Sequence, residues 1–444
     1  MTRGCSARNI LVVYRYGEYP PRATIWDHLY SLERYSGHRC FYVNLLHRSL
    51  PLRFLRAVPI DLIVFHTTFL SARWSERAFA EMMCKAEPLR LHSAVKLALP
   101  QDEFIHTDPL CDFISEFGVN HVFSVSPPSE WPKIYNTVDR EAVQLHQVLT
   151  GYLDEKTLKR IRRLEIEDPK RDIDIGYRAW RAAPWLGRHG YMKAQMDEVF
   201  SEEGPKRGLA VDISTRAEDT LLGDDWYRFL LRSRYTIGVE GGASILDRDG
   251  AIRRRTDAYV AEHPDAGFEE VEAACFPGVD GAFALFAISP RHLEACATQT
   301  CQILVEGDYN GILEPNRHYI PLRADFSNVD EILSGLQDEV RRTRIATQAY
   351  EEIVASGRYT YEGFARFVLE TALSDSHLKE RGFLLCWLYA LTAQYALLID
   401  RVSWIAPIIY RRVIAPAVRA LAFVSPRAAK AVFRKLKRMT GRSR

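Results

Sequence analysis

Short apolar runs, rich in β-branched and aromatic residues, alternate with longer amphipathic stretches through most of the chain. Within residues 1–150 such runs recur at intervals of roughly 20 to 35 residues. They are NILVVYRY, RCFYVNLL, IDLIVFHT, AVKLALPQ and NHVFSVS. Runs that are apolar at consecutive positions are typical of strands buried on both faces of a parallel sheet. Residues 1–150 are therefore predicted to form a Rossmann-like α/β domain.

A charged, helical stretch from Asp139 to Pro169 interrupts this series, and residues 151–170 are predicted to link two domains. A second series of strand-like runs follows: DIDIGYRA, GLAVDIS, RYTIGVEGG, FALFAIS and CQILVEG. Residues 171–360 are therefore predicted to form a second Rossmann-like domain. Two domains are also expected because a chain of 444 residues exceeds the size at which one hydrophobic core usually stops growing. A helix that begins at Ser327 and ends at Gly357 is expected to pack against the second sheet.

Residues 361–444 have a different character. An almost uncharged run from Phe383 to Ile399 is near the short limit for a transmembrane helix and contains Thr392 and Gln394, so a span is disfavoured. The segment from Arg427 to Arg444 carries eight Lys or Arg residues and no acidic residue. This region is either a helical cap on the second domain or a membrane-seeking tail, whose apolar side chains enter the interface while its basic residues meet anionic lipid.

Composition narrows the class of protein. A net charge of +2 argues against a general nucleic-acid binder. The eight cysteines include no C-x-x-C pair, which indicates reduced thiols in a cytosolic protein rather than a disulfide scaffold. The first apolar run is too short for a signal peptide. We therefore expect a cytoplasmic protein that is peripheral to the inner face of the membrane through its tail.

The residues that follow the predicted strands indicate where a ligand binds. No G-x-G-x-x-G motif follows the first strand, which argues against a dinucleotide enzyme. Ligands of open α/β sheets bind at the carboxyl ends of strands, and two loops at such ends in the second domain are suitable. The loop after DIDI is either a solvated basic loop or a diphosphate clamp, with Arg178, Arg181, Arg188 and Lys193. The loop after YTIGV can approach an anion closely through the backbone of Gly241, Gly242 and Ser244.

The stretch from Arg291 to Ile303 resembles the second domain of glycosyltransferases of the GT-B fold, which carries a Glu-Ala-x-Ala helix, a small turn and an apolar strand. The resemblance covers the second domain well and the first only in general layout. It implies two Rossmann-like domains facing a cleft, with a nucleotide sugar bound in the second. It also implies that Glu294 holds the ribose and that the donor site includes Arg291, His292, Asn310 and Gly311.

Many retaining enzymes of this fold have two glutamates separated by seven residues. Phe286 stands at the first of these positions, so Glu240 becomes the substitute if Asp247–Ser289 is an insertion. A D-x-D triplet is the metal motif of the other large glycosyltransferase fold. The triplet at Asp247 is followed by Gly250, however, which is typical of an exposed turn. We therefore expect a turn there, no metal site, and no cofactor besides the nucleotide sugar.

An inverting enzyme also needs a group from the first domain that accepts the proton of the acceptor hydroxyl. Asp102 and Glu103 are the preferred candidates, because these adjacent carboxylates follow a strand and have no obvious structural role. Candidates of lower rank are His66, His106, Glu18 and Asp27. The sequence leaves open whether the reaction retains or inverts the anomeric configuration.

These patterns together predict a membrane-associated glycosyltransferase of the hexosyltransferase type. It would move a sugar from a nucleotide sugar to a glycan or lipid-linked acceptor in surface polysaccharide synthesis. One alternative is a nucleotide-sugar epimerase of the same fold, which would not need the tail. Another is a non-catalytic glycan- or lipid-binding scaffold, which would be indifferent to Glu294→Ala.

Overall fold

The computed structural model describes residues 7–18, 21–50, 52–167, 170–374, 381–409 and 416. The strands are β1 (Asn9–Tyr14), β2 (Arg39–Asn44), β3 (Leu62–Phe65), β4 (Val95–Ala98), β5 (His121–Ser124), β6 (Gln144–Gln147), β7 (Ile173–Arg178), β8 (Val211–Ser214), β9 (Ser233–Gly238), β10 (Gly241–Ala243), β11 (Leu285–Ala287), β12 (Cys301–Val305) and β13 (Ile320–Leu322).

Helices lie between most of these strands and continue beyond them. They are α1 (Ala23–Leu29), α2 (Ser31–Tyr35), α3 (Leu52–Ala57), α4 (Thr67–Leu70), α5 (Glu76–Ala86), α6 (Thr107–Glu116), α7 (Trp131–Ile134), α8 (Glu155–Glu167), α9 (Gly187–Lys206), α10 (Asp224–Arg232), α11 (Ala251–Glu262), α12 (Phe268–Cys275), α13 (Pro290–Ala297), α14 (Val329–Ser334), α15 (Glu339–Ala349), α16 (Tyr361–Leu373) and α17 (Phe383–Ile409). Short 3₁₀ segments are Ser71–Trp74, Glu87–Leu89, Pro128–Glu130, Pro184–Leu186, Ala217–Asp219 and Tyr309–Gly311, and Tyr350–Ala355 is a π-helical turn.

The first sheet is parallel throughout, in the order β2-β1-β3-β4-β5-β6. Successive side chains of its strands enter two different cores: Leu11 and Val13 pack on one face, and Ile10 and Val12 on the other. Burial on both faces explains why these strands are continuously apolar in sequence. The edge strand β6 was not predicted, because its sequence, QLHQ, is polar and only partly buried.

The second sheet is also parallel, in the order β13-β12-β9-β7-β8. The two predicted Rossmann-like domains are therefore confirmed. One predicted strand was misplaced: β11, within FALFAIS, leaves the main sheet and pairs antiparallel with β10. The predicted helix from Ser327 to Gly357 is divided into α14, α15 and the π-helical turn, and Asn328 rather than Ser327 precedes its first turn.

The segment between β10 and β11 is an insertion of the second domain that packs on the first. Ala243 and Leu285 enter the core of the first domain. The backbone N–H of Asp247 donates to the carbonyl of Phe104 at 2.8 Å, and that of His106 donates to the carbonyl of Asp247 at 2.7 Å. These hydrogen bonds form a parallel bridge between the domains, which fixes the loop after β4 against the insertion.

The last described helices return to the first domain. Helix α16 packs through Phe364 and Val368 onto the face of the first sheet that holds Ile10, and Trp404 of α17 enters the same core. Of the two alternatives for this region, the helical cap was assigned to the second domain, whereas α17 lies on the first. Within the described ranges, no helix combines the length and the apolar character that crossing a bilayer requires. The basic segment 427–444 lies outside the described residues.

Candidate active site

A cavity of about 690 Å³ lies between the two domains. Its walls come from residues that follow β1, β3 and β4 in the first domain and β7, β8 and β9 in the second, where parallel sheets bind ligands. The cavity contains more basic than acidic side chains. The basic ones are Arg22, Arg178, Arg181, Lys193, Arg216 and Arg291, and the acidic ones are Asp102, Asp219 and Glu294. This excess of positive charge favours an anionic ligand.

Lys193, on α9, is the basic residue of the cavity best placed to bind such a ligand. Among the described residues, no hydrogen-bond acceptor or carboxylate pairs directly with its ammonium group. Burial, together with the charge of Arg291, lowers the pKa of Lys193 to about 8, although the charge of Asp102 acts in the opposite direction. A partly desolvated ammonium without a direct partner interacts strongly with an incoming anion.

Most other basic side chains of this region are already engaged. Arg178 donates to the carboxylate of Asp212 at 2.6 Å and packs over the ring of Phe229, so the predicted clamp residue is held by its own domain. Arg188 does not line the cavity and pairs with Glu272 and Asp280. The sequence left open a solvated basic loop or a clamp of four residues, and the structure engages Arg178 and Arg188 in contacts within the protein.

Arg291 lies in the first turn of α13 and donates to the backbone carbonyl of Arg178 at 2.6 Å. Its guanidinium lies 5.8 Å from the ring centre of Trp226, and its charge lowers the pKa of Lys193. Arg291 is largely exposed and keeps donors that this hydrogen bond does not use. Lys193 and Arg291 therefore form the positive part of the cavity wall.

Glu294, also on α13, forms the acidic part of this wall. Its carboxylate accepts hydrogen bonds from Trp226 Nε1 at 2.8 Å and from the Tyr227 hydroxyl at 3.3 Å. Burial raises the pKa of Glu294 to about 7, although both hydrogen bonds and the charge of Arg291 lower it. A carboxylate has about four acceptor positions, so two remain for ligand hydroxyls.

Gly241 and Gly242 line the cavity as part of the two-stranded sheet formed by β10 and β11. Gly242 has φ of 122°, and a Cβ atom there would lie 1.8 Å from the carbonyl oxygen of Leu285. Only glycine fits this position, because the strand β11 approaches the backbone so closely. The glycine pair thus serves strand pairing and leaves the wall of the cavity free of side chains.

His292 lines the cavity, but its ring is used in the protein. Its Nδ1 accepts from the backbone N–H of Ser289 at 3.1 Å, which completes a capping box at the start of α13. Burial lowers the pKa of His292 to about 3, and the charges of Arg291 and Lys193 contribute to this shift. His292 therefore stays neutral and orients α13, with Arg291 and Glu294 on it.

Asp102 lies on the opposite, first-domain side of the cavity. Its side chain is open to the cavity, yet surrounding protein raises the pKa of its carboxyl, while Arg73 and Lys193 lower it. Its φ of 53° is unusual for a residue other than glycine, and such strained backbone clusters at functional sites. Of the carboxylates predicted from the first domain, Asp102 alone lines the cavity.

The strained loop is held by Arg73, a buried arginine that the sequence analysis did not single out. Its guanidinium donates to the backbone carbonyls of Gln101 and Asp102, both at 2.7 Å, and to those of Leu70 and Ile105 at 3.0 and 3.3 Å. Its hydrogen bonds go only to carbonyl groups, and its charge interacts with the nearby carboxylates of Asp102 and Glu103. The sequence gives little signal for such a role, since Arg73 stands 29 residues before Asp102.

Glu103 has the structural role that its sequence neighbourhood did not reveal. It is fully buried, accepts from the backbone N–H of Val125 at 2.9 Å, and accepts from the hydroxyls of Ser124 and Tyr135. It does not line the cavity. Glu103 was a catalytic candidate from the sequence, but in the structure it joins the loop after β4 to the end of β5.

Glu240 is also placed away from the cavity wall. Its carboxylate accepts from the backbone N–H of Tyr309 at 2.7 Å, and burial raises its pKa to about 6. Asn310 accepts from the backbone N–H of Ile288 at 2.7 Å, and neither it nor Gly311 lines the cavity. These residues hold the turn after β12 beside β11, so the structure does not bring them to the positions that the resemblance implied.

Ser244 lies at the first turn of α9, where its hydroxyl donates to Asp280 at 2.5 Å and accepts from the N–H of His189 at 3.3 Å. Asp280 accepts from the N–H of Arg188 at 2.8 Å. The protein itself therefore satisfies this helix terminus, and Ser244 does not reach the cavity.

The triplet beginning at Asp247 has a similar role at α11. Asp247 accepts from the backbone N–H groups of Ile252 and Arg253, and Asp249 from that of Ala251. Within the described ranges, no group of three or more side chains suited to a metal ion was found. The acidic pair thus forms the bend that starts α11, and Asp247 is buried rather than exposed.

No protein-family model matches the chain, and no curated protein matches its sequence. Among solved structures, the chain is similar to Anabaena HepE in complex with UDP-glucose, with 12% identity and a TM-score of 0.47, covering 83% of this chain and 100% of that one. It is also similar to sucrose-phosphate synthase from Thermosynechococcus elongatus, with 12% identity and a TM-score of 0.42 over 83% and 98% of the two chains. A third similar structure is AviGT4, a glycosyltransferase involved in avilamycin A biosynthesis, with 11% identity and a TM-score of 0.43 over 82% of this chain and 97% of that one.

These TM-scores lie below 0.5. The GT-B arrangement, two Rossmann-like domains that face a cleft, is seen directly in the chain's own sheets and cavity.

Proposed function

We propose that the protein is a glycosyltransferase that binds a nucleotide sugar in the second-domain half of the cavity and an acceptor in the first-domain half. One observation carries this proposal. The cavity between two Rossmann-like domains places the ammonium of Lys193 and the carboxylate of Glu294 in one wall, with Asp102 on the other domain. A nucleoside diphosphate sugar needs this combination of a cation for its diphosphate and an acceptor for its ribose hydroxyls.

The donor is oriented by charge. Lys193 and Arg291 bind the diphosphate, and Glu294 accepts hydrogen bonds from the ribose. Trp226 and Tyr227 hold the Glu294 carboxylate in place, so little side-chain freedom is lost when the nucleotide binds. The backbone of Gly241 and Gly242 lets the sugar approach the β10 wall closely.

Transfer then requires proton acceptance on the acceptor side. Asp102 accepts the proton of the acceptor hydroxyl while the hydroxyl oxygen bonds to the anomeric carbon, and the bond from that carbon to the diphosphate breaks. Lys193 and Arg291 stabilise the charge that develops on the leaving diphosphate. Arg73 is a positioning residue in this scheme, because it touches only the backbone of the loop that carries Asp102. This assignment implies an inverting reaction.

We also propose that the acceptor is a glycan or a lipid-linked saccharide of the kind used in surface polysaccharide synthesis at the cytoplasmic face of a membrane. The support is the aromatic lining of the cavity, since flat rings with a few polar groups suit a sugar surface. Tryptophans that line the cavity are Trp74, Trp180, Trp185 and Trp226.

The experiment is a thermal-shift screen against UDP-, GDP-, dTDP- and CMP-sugars, with and without EDTA. A ligand at about 100 times its dissociation constant stabilises the native state by about 2.7 kcal/mol, which raises the melting midpoint. One nucleotide class should stabilise the protein, EDTA should not change the shift, and Glu294→Ala should abolish it. If no sugar nucleotide raises the midpoint of the wild-type protein, the donor site is wrong.

A further inference from the structure

Helix α17 presents a continuous apolar surface to solvent. Six large side chains recur at alternating steps of four and three residues, and each is between 45% and 68% exposed: Leu384, Leu388, Leu391, Tyr395, Leu398 and Val402. We call these six the apolar face of α17. At 1.5 Å per residue the face is about 27 Å long. Trp387 and Leu385 extend it at its first turns, and about half of each side chain is exposed. Contiguous exposed apolar surface of this extent marks an interaction site.

The opposite side of α17 is firmly attached to the first domain. Arg381, just before the helix, forms a two-pronged ion pair with Asp61 at 2.6 and 2.8 Å, at the start of β3. Near the other end, Asp400 accepts from the hydroxyls of Tyr14 and Tyr30 at 2.7 and 2.6 Å. These contacts fix the rotation of the helix, so the apolar face cannot turn inward to be buried.

We propose that the apolar face of α17 docks the first domain onto an anionic lipid bilayer. The chain beyond Ile409 has 35 residues, of which eleven are Lys or Arg and none is Asp or Glu. This composition complements the negative surface of a bilayer at the end of an apolar helix. Trp387 and Tyr395 are amphipathic side chains of the kind enriched at membrane interfaces.

A second copy of this chain is the competing occupant, because steps of four and three residues are also the spacing of a coiled coil. Paired helices of that kind usually carry charged residues beside the apolar positions. The charged residues in the sequence of α17 are Asp400 and Arg401. Asp400 is buried against the first domain, and Arg401 lies 3.6 Å from Glu33 of the same chain. The face thus lacks the flanking charges that select a partner helix, which favours the bilayer.

The position of the face relates it to the cavity. Trp404, two residues beyond the end of the apolar face, packs on Trp26 of α1 with ring centres 5.2 Å apart. The first residues of α1, Ala23 and Thr24, line the cavity. A bilayer on the apolar face therefore lies beside the acceptor side of the cleft. This last step rests on the proposed function, whereas bilayer docking itself does not.

The test uses the full-length protein and co-flotation with vesicles of phosphatidylcholine alone or of phosphatidylcholine and phosphatidylglycerol in equal parts. The variant L391E/L398E places two carboxylates on the face. The matched control L91E/V340E adds the same charges at two exposed apolar positions elsewhere. Wild type and control should float with the anionic vesicles, and L391E/L398E should bind about tenfold less. Binding that remains in that variant should disappear at high salt, since only the basic segment would supply it.

Three outcomes would overturn the proposal. The first two are no flotation of the wild type and equal flotation of L391E/L398E and wild type. The third is a wild-type protein that is a dimer in light scattering and a variant L391E/L398E that is a monomer, with no difference in flotation. Melting curves show whether the variants fold. The nucleotide-sugar shift of L391E/L398E should equal that of the wild type, so failure of docking and failure of the donor site give different results.

Discussion

Glu294→Gln should change stability and ligand binding in opposite directions. The wild-type carboxylate accepts from Trp226 and Tyr227, and burial raises its pKa from the ordinary 4.5 to about 7. Glutamine has the same shape, accepts from Trp226 through its carbonyl, and donates to the tyrosine hydroxyl through its amide. The substitution therefore keeps both contacts and removes only the charge.

The sign of the pH dependence follows from proton binding. Between pH 4.5 and 7 the folded protein holds a proton on Glu294 that the unfolded chain has released, so wild-type stability falls as pH rises through this window. The full difference corresponds to about 3 kcal/mol of unfolding free energy. Glu294→Gln should therefore melt at nearly the wild-type temperature at pH 4.5 and clearly above it at pH 8.

The affinity for the nucleotide should rise with pH over the range in which stability falls. The ionised carboxylate accepts ribose hydroxyls best, so wild-type affinity should increase from pH 6 to pH 7, in the range set by the pKa of about 7. At higher pH the loss of charge on Lys193, whose pKa is about 8, weakens diphosphate binding in wild type and Glu294→Gln alike. Glu294→Gln should bind more weakly at pH 8 and show no such increase. Isothermal titration calorimetry at each pH measures both effects with the nucleotide found in the screen. The matched control is Glu103→Gln, which changes a buried carboxylate outside the cavity. Equal pH dependence in wild type and Glu294→Gln would refute the role of Glu294.

Three other substitutions test the remaining parts of the cleft. Lys193→Met should weaken nucleoside diphosphate binding by about tenfold to a hundredfold but leave nucleoside binding unchanged, and equal losses for both ligands in calorimetry would contradict the role of Lys193. The same substitution should raise stability at pH 7, because the wild-type ammonium is desolvated. Asp102→Asn should keep donor affinity, since asparagine tolerates the positive φ. The rate of transfer, assayed by release of the nucleoside diphosphate, should fall about 10² to 10⁴-fold. Unchanged transfer would exclude Asp102 as the base. Arg248→Ala removes hydrogen bonds to Asp108 and to the carbonyl of Lys133. It should lower the free energy of unfolding by about 1 kcal/mol in urea titration. An unchanged midpoint would show that this contact between the domains is not stabilising.

The main strands could be predicted because burial on both faces produces apolar runs that stand out in sequence. The elements that the sequence concealed lack that signature. Strand β6 is a polar edge, and β10 contains only glycines and an alanine, so neither has an apolar run. Strand β11 was found but assigned to the wrong sheet, because the pairing partner of a strand is a long-range property that its own sequence does not specify.

The candidate site was predicted in part. Positions after strands were the correct place to look, and Asp102, Arg291 and Glu294 do line the cavity. What the sequence could not show was which polar residues the protein itself uses. Glu103 and Glu240 have the same residue type as Glu294, yet their hydrogen bonds go to neighbouring loops. Lys193 was one of four basic residues in its loop, and only the structure shows that it has no direct partner among the described residues.

The insertion between β10 and β11 connects the two halves of the site. It begins at the glycine pair that lines the cavity and continues into the bridge between Asp247 and the loop from Phe104 to His106. That loop follows Asp102 directly, and Arg73 holds its other side through the carbonyls of Gln101 and Asp102. The candidate base is therefore positioned by both domains at once. Because separation of the domains would break the bridge, we expect Arg73 alone to support the strained conformation of Asp102 when the domains move apart.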